Sequence, residues 1–365
     1  MKVAFVLGTS AGGVGRHVHD LVAGLVAGGD DVLVAGPAEV DTHFGFSAAG
    51  ARFIDLPVAD RPHPTRDARA VSRLRAVVSG ADVVHAHGLR AGALAALAAL
   101  GTATPLVVTL HNATPGGRLG IVYAALERVV ARRADLVLGV SADLVDGQRR
   151  LGARHTGLAV VAAPPPPVTG SDRAAVRAAL GVDEARSLAV VVARLAPQKG
   201  LDLLVDALAL VGDRAPVTTV VAGEGPLRAE LTRRAERQGV DLRLVGHRGD
   251  VPDLLAGADV VVSAAVWEGQ PVWLQEALHA GAPIVATDAG GTAAVLGDAG
   301  LVVANHDAGA LADAVVEVLT DPTVAGSLRE RARMRAGQLP SPADAVAAAR
   351  AAHGQVRAGR SASER

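Results

Sequence analysis

Short runs of Val, Leu and Ala recur along this chain, with amphipathic segments between them. A strand covered on both faces reads as a near-continuous apolar run. Such runs alternating with helix-period segments make a parallel α/β sheet. The expected strands of the first half are Val3–Leu7, Val32–Ala35, Arg52–Leu56, Asp82–His85, Leu106–Leu110, Leu136–Val140 and Leu158–Val161. Val14, Val18, Leu21, Val22 and Leu25 recur at helical spacing behind the first of them. Four prolines, Pro164 to Pro167, then interrupt. They fit no central strand and no helix interior, and they favour a stiff, extended connector. The alternation restarts with strands expected at Leu188–Ala193, Val217–Ala222, Leu242–Val245, Val260–Ser263, Ile284–Thr287 and Leu301–Val303. Two doubly wound halves result, residues 1–165 and 166–340. Beyond about Asp307 the chain reads as helical, and the polar stretch from Gly359 to Arg365 reads as frayed.

Composition narrows the class. With four Phe, two Trp and one Tyr, the core must be aliphatic. A net charge of −1 argues against non-specific nucleic-acid binding. The absence of Cys removes disulfide and thiolate chemistry and fits a reducing, cytoplasmic compartment. The apolar run after Lys2 is too short for a signal peptide. The uncharged stretch from Ala91 to Leu110 is cut by Gly101 and Pro105 into an Ala/Leu helix and a Val-rich strand. Each is far shorter than the ~20 residues of a spanning helix.

In open α/β sheets ligands sit beyond the carboxyl ends of strands, so the loops there carry the candidates. Gly8 to Gly15 follows the first strand and opens the first helix, where backbone N–H groups and the helix dipole hold phosphate; an ordinary tight turn is the alternative. It is not a dinucleotide fingerprint, because Val18 stands at the third glycine position and the second strand ends in Ala35-Gly36-Pro37. It is not a P-loop, because no Lys-Ser/Thr follows. Arg194 and Lys199 lie on the loop after the first strand of the second half. A guanidinium fork and a mobile ammonium five positions apart suit a diphosphate. A departing nucleotide diphosphate gains charge, and these cations would stabilise it. Gly223 to Pro226 is a similar loop one strand later. After the next strand, His247 to Val251 either read a nucleobase or form a surface turn.

The densest segment is Trp267-Glu268-Gly269-Gln270-Pro271-Val272-Trp273-Leu274-Gln275-Glu276, followed by the strand that ends at Gly290-Gly291. Glu268 precedes a helix whose first position suits Pro271, and Glu276 lies on its second turn. Carboxylates and glycine N–H groups in this order suit a hydroxyl-rich ligand. In the first half, His85 and His87 face the same side of one strand. With no acid or Cys placed to complete it, a metal site there is disfavoured, and a structural role for His85 competes. His111-Asn112 is placed for substrate hydroxyls. Arg66, Arg69, Arg73 and Arg75, with apolar Ala70, Leu74 and Val77, form a basic amphipathic segment. It reads as a solvated helix face or as a weak peripheral contact with anionic lipid at the inner face of a membrane.

Together these segments resemble glycosyltransferase family 4, retaining nucleotide-sugar enzymes of GT-B fold. The resemblance rests on Gly12-Gly13-Val14, on Arg194 and Lys199 in Arg-Leu-x-x-x-Lys-Gly, and on Gly223-Glu224-Gly225-Pro226-Leu227. Glu268 and Glu276, separated by seven residues, and the stretch from Gly281 to Gly291 complete it. It implies two Rossmann-like domains facing across a cleft, with a last helix, about residues 342–357, crossing back onto the first, acceptor-binding domain. It implies that Gly13 approaches the diphosphate through its backbone, that Arg194 and Lys199 bind that diphosphate, and that Glu276 accepts from ribose hydroxyls. Glu268 and the Gln270-Pro271-Val272 backbone would hold the donor sugar, with Gly269, Gly290 and Gly291 beside them, and His111 would sit on the acceptor side. No metal or organic cofactor is implied; the co-substrate is a UDP- or GDP-linked sugar. Ala264-Ala265 and Gln270 depart from the family pattern, and Gln270 is a candidate selector of the donor sugar. A GT-B nucleotide-sugar epimerase and an inactive nucleotide-sugar binder are the alternatives.

Overall fold

The computed structural model describes residues 1–10, 12–58, 61–114, 120–163 and 173–363. The expected proline connector, Pro164 to Pro167, lies outside them. The chain divides into two compact units, Met1–Ala162 with Pro340–Arg365, and Ala163–Leu339.

The first unit runs β1 Lys2–Leu7, α1 Gly13–Ala27, β2 Asp31–Gly36, α2 Ala38–Phe44, β3 Arg52–Asp55, α3 Pro64–Ser79 and β4 Val83–His87. It continues with α4 Leu89–Ala98, β5 Leu106–Leu110, α5 Gly120–Arg133, β6 Leu136–Gly139, α6 Ala142–Arg150 and β7 Thr156–Leu158. Among the described residues these strands form a seven-stranded sheet in the order β3-β2-β1-β4-β5-β6-β7. Every pairing is parallel. Apolar clusters fill both faces, which is why β4 and β5 are buried along their whole length.

The second unit runs α7 Arg173–Ala179, β8 Ser187–Val192, α8 Leu201–Val211, β9 Val217–Ala222, α9 Arg228–Gln238, β10 Leu242–Gly246 and α10 Val251–Gly257. Then come β11 Val260–Ser263, α11 Val272–His279, β12 Ile284–Thr287, α12 Thr292–Leu296, β13 Leu301–Val303, α13 Ala308–Thr320 and α14 Pro322–Ala336. Among the described residues its sheet has six parallel strands in the order β10-β9-β8-β11-β12-β13.

The last helix, α15 Pro342–Ser363, packs on the first unit. Ser341 and Asp344 cap it reciprocally: the Ser341 N–H donates to Asp344 Oδ2 at 2.8 Å, and the Asp344 N–H to Ser341 Oγ at 3.2 Å. Ala345, Ala349, Ala352 and Val356 form its buried stripe. A Cβ on Gly24 of α1 would lie 2.4 Å from Val346, so only glycine lets the two helices approach this closely.

Several boundaries differ from expectation. The strand expected at Asp82–His85 runs Val83–His87, because β1 and β5 supply partners as far as Leu7 and Thr109. The strand expected at Leu158–Val161 is Thr156–Leu158, because its only partner among the described residues, β6, ends opposite Leu158; Val161 and Ala162 are instead buried outside any strand. The stretch from Gly359 is not frayed through Ser363. The Arg360 guanidinium donates to the Asp135 carboxylate at 2.9 and 3.0 Å and extends α15. On α3 the third buried position is Val78, not Val77.

Candidate active site

In each sheet the strand order reverses beside the first strand, between β1 and β4 and between β8 and β11. Loops leaving such neighbours diverge to opposite faces and open a crevice at the carboxyl ends.

In the second unit, the loop after β8 carries Arg194 and a 3₁₀ turn, Pro197–Lys199, that ends in Lys199. The loop after β11 carries Glu268. The adjacency of β8 and β11 brings the Lys199 ammonium onto the Glu268 carboxylate, in hydrogen-bonded ion contact. Glu268 is only 6% exposed. A buried carboxylate persists as an ion only when paired, so this contact also fixes the loop. The backbone ties the same loops together. The Val266 N–H donates to the Gln198 carbonyl at 3.0 Å, and Gln198 Nε2 to the Trp267 carbonyl at 3.2 Å. From the loop after β12, the Gly291 N–H donates to the Glu268 carbonyl at 2.9 Å. Gly290 has φ +57, and a Cβ there would lie 2.0 Å from that carbonyl oxygen; glycine is required on both counts. Arg194, by contrast, is exposed and makes no ion pair among the described residues.

The Glu268 loop leads through buried Gly269 and half-buried Gln270 into α11. Pro271 is the N-cap of this helix, not its first residue as expected, and Val272 begins it. Gln270 Oε1 and Trp273 Nε1 are buried without a hydrogen-bond partner among the described residues. Glu276 is half-buried on the second turn. The loop after β9 reaches the loop after β8: the Leu195 N–H donates to the Glu224 carbonyl at 2.9 Å. Pro226 lies two residues before α9. The Gly223 N–H donates to the Gly246 carbonyl at 2.8 Å. His247 is exposed and Val251 half-buried at the end of β10, the edge strand two places from β8. Between them Arg248 grips Asp250 in a fork of 2.7 and 2.5 Å and holds that carboxyl below its usual range.

In the first unit, Gly12 caps α1 and Gly13 is its first residue, with both exposed where the helix leaves the β1 end of the switch point. His111 follows β5, is 8% exposed, and has Nε2 at 3.0 Å from His87 Nδ1. Burial and then nearby His17 push its pKa down to about 3. His85 has both nitrogens occupied, by Thr109 Oγ1 at 2.8 Å and by His353 Nε2 at 3.0 Å, as a structural role requires. Among the described residues no group of three or more His, Cys, Asp or Glu is arranged to hold a metal ion.

Sequence reasoning missed His17 and His353, which pack beside His85, His87 and His111. It also missed Gln275, fully buried, whose Oε1 accepts the Ala163 N–H at 2.9 Å. No period or spacing marks these residues; only their distant partners do.

A sequence model described as glycosyl transferases group 1 matches residues 186–321, and one for the glycosyl transferase 4-like domain matches residues 12–164. The glycogen synthase of Mycobacterium tuberculosis is 30% identical over 367 residues, covering 89% of this chain and 86% of the relative. The chain belongs to the group 1, family-4-type glycosyltransferases. The D-inositol 3-phosphate glycosyltransferase of Jonesia denitrificans is 31% identical over 290 residues, 71% of this glycosyltransferase and 68% of the relative. The Anabaena protein Alr3699/HepE, solved with UDP-glucose, superposes with a TM-score of 0.83 at 21% identity, covering 96% of this chain and all of that one. The fold is therefore GT-B, with two parallel-sheet Rossmann-like domains.

Proposed function

We propose that this glycosyltransferase moves a hexosyl group from a UDP- or GDP-linked sugar to a sugar, lipid-linked or small-molecule acceptor, with retention of configuration and without a metal ion. The observation that carries the reading is the pairing of Lys199 with Glu268 beside exposed Arg194, at the switch point of the second sheet. Arg194 and Lys199 take the diphosphate. Lys199 keeps donors to spare, since an ammonium has three and Glu268 engages one. As the glycosidic bond breaks, negative charge grows on the leaving phosphate, and preorganised cations lower that barrier without reorganising. Glu276 accepts from the ribose hydroxyls, and His247 and Val251 flank the base. The Gly269–Val272 backbone, Gly290 and Gly291 hold the donor sugar. On the first unit, the Gly13 backbone is the proposed phosphate contact and His111 the proposed acceptor-side contact.

Gln270 supports a choice among donor sugars. Its buried, unpartnered Oε1 is an acceptor that a sugar hydroxyl or amide N–H would satisfy. A UDP-glucose complex of the Anabaena neighbour supports a nucleotide sugar as the donor class. Replacing Arg194 and Lys199 together with Ala is expected to abolish transfer from the cognate donor. Full turnover in that double variant would overturn the reading. Retention is read from the anomeric coupling constant of the product, and metal independence from unchanged turnover in excess chelator.

No helix among the described residues is long and apolar enough to cross a membrane. Arg66, Arg69, Arg73 and Arg75 are all exposed on α3, which supports peripheral contact with anionic lipid. The enzyme is then expected to sediment with anionic vesicles at low salt and to be released at high salt. No binding at low salt would remove this part of the proposal.

A further inference from the structure

Five histidines of the first unit form one buried cluster, with Phe5 against His85, His87 and His353. His17 comes from α1, His85 and His87 from β4, His111 from the loop after β5, and His353 from α15. The His87 ring lies 4.3 Å from that of His85, 5.3 Å from His111 and 6.0 Å from His17, centroid to centroid. Phe5 stacks on it at 5.6 Å. Burial lowers the pKa of all five, to about 4 for His17 and His353 and about 3 for His111, and the His87 pKa is pushed down further by the neighbouring imidazoles. At neutral pH each ring therefore carries one proton.

The hydrogen bonds then decide which nitrogen holds it. His87 Nδ1 and His111 Nε2 are 3.0 Å apart, so one of the two donates to the other. Among the described residues, His87 Nε2 is buried with no partner. If His111 donated, the single His87 proton would sit on Nε2, as an N–H sealed away from any acceptor. If His87 donates, Nε2 carries only a lone pair. Orphaned buried N–H groups are the rarer of the two cases.

We infer that His87 donates from Nδ1 to His111 Nε2 and locks His111 in the tautomer protonated on Nδ1. His87 is thus a positioning residue. With the Nε2 lone pair engaged and Nδ1 protonated, His111 meets a substrate oxygen as a hydrogen-bond donor and has no lone pair to serve as a general base. This consequence rests on the reading of His111 as a substrate contact; the tautomer does not.

Long-range ¹H–¹⁵N spectra of the labelled full chain at neutral pH test it, with His111 assigned through a His111→Gln variant. Wild type is expected to show His111 protonated on Nδ1. H87N, whose amide N–H replaces the Nδ1 donor, is expected to retain that tautomer. H87L, which has no donor, is expected to shift His111 toward the Nε2-protonated form that unconstrained imidazole favours. An Nε2-protonated His111 in wild type, or one tautomer shared by wild type and a folded H87L, overturns the inference. If H87L does not fold, the spectra of wild type and H87N decide. If the tautomers are as stated and no nucleotide sugar is turned over, the transfer reading fails while the positioning inference stands.

Discussion

Lys199 and Arg194 sit on one loop, yet their surroundings assign them different debts to the fold. Lys199 pairs with a carboxylate that is only 6% exposed, while Arg194 is exposed. Removing one partner of a buried pair strands the other, at a cost of about 3–5 kcal/mol. Lys199→Ala is therefore expected to lower the denaturant midpoint of the second unit by that order, and Arg194→Ala to change stability by no more than about 0.5 kcal/mol. Both are expected to lose transfer. Equal stability of the two variants would refute the separation. Both cations, Glu268 and Glu276 stand out in the sequence as candidates because charged groups and glycines at strand ends are rarely needed by a core. That Lys199 and Glu268 touch was not legible, since 69 positions separate them.

Among the elements, α15 depends on partners far away in the sequence. Its Ala stripe, Arg350 on Asp30 at 2.7 Å, Arg360 on Asp135 and His353 on His85 bind it to the first unit. The histidine cluster there makes that unit sensitive to acid. A folded-state pKa below the ordinary 6.5 means that the unfolded chain binds more protons between the two values. The associated stability is fully present above about pH 6.5. It is lost as pH falls toward about 4 for His17 and His353 and about 3 for His111. Each such histidine contributes a slope of up to about 1.4 kcal/mol per pH unit. Relative to the intrinsic exchange rate at each pH, the hydrogen-exchange protection of α15 and β4 is expected to fall between pH 6.5 and 4 before that of the second unit. An equal loss of protection in both units would contradict this. His353 gave no sign of itself in an Ala-rich helix, because its role depends on a strand residue 268 positions away.

At the scale of the whole molecule, donor identity is the open quantity with the most direct measurement. A ligand bound only by the native state stabilises it by about 2.7 kcal/mol at a hundredfold excess over its dissociation constant. One of UDP-, GDP- or ADP-linked sugars is therefore expected to raise the unfolding midpoint well above the others, and Gln270→Ala to narrow that preference. No shift with any of them would count against a nucleotide-sugar site. By itself the sequence determined two parallel α/β halves and marked the strand-end loops as candidates for chemistry. Strands buried on both faces must be continuous apolar runs, and ligand loops must follow them. Edge strand β7 escaped it, since a strand with one partner is bounded by that partner and not by its own composition. Only the tertiary structure decided which loops meet. Strand order sets β8 beside β11 and so puts Lys199 on Glu268, and the return of α15 brings His353 against His85. Those contacts follow from the crossing of distant segments, for which neighbouring residues hold no record.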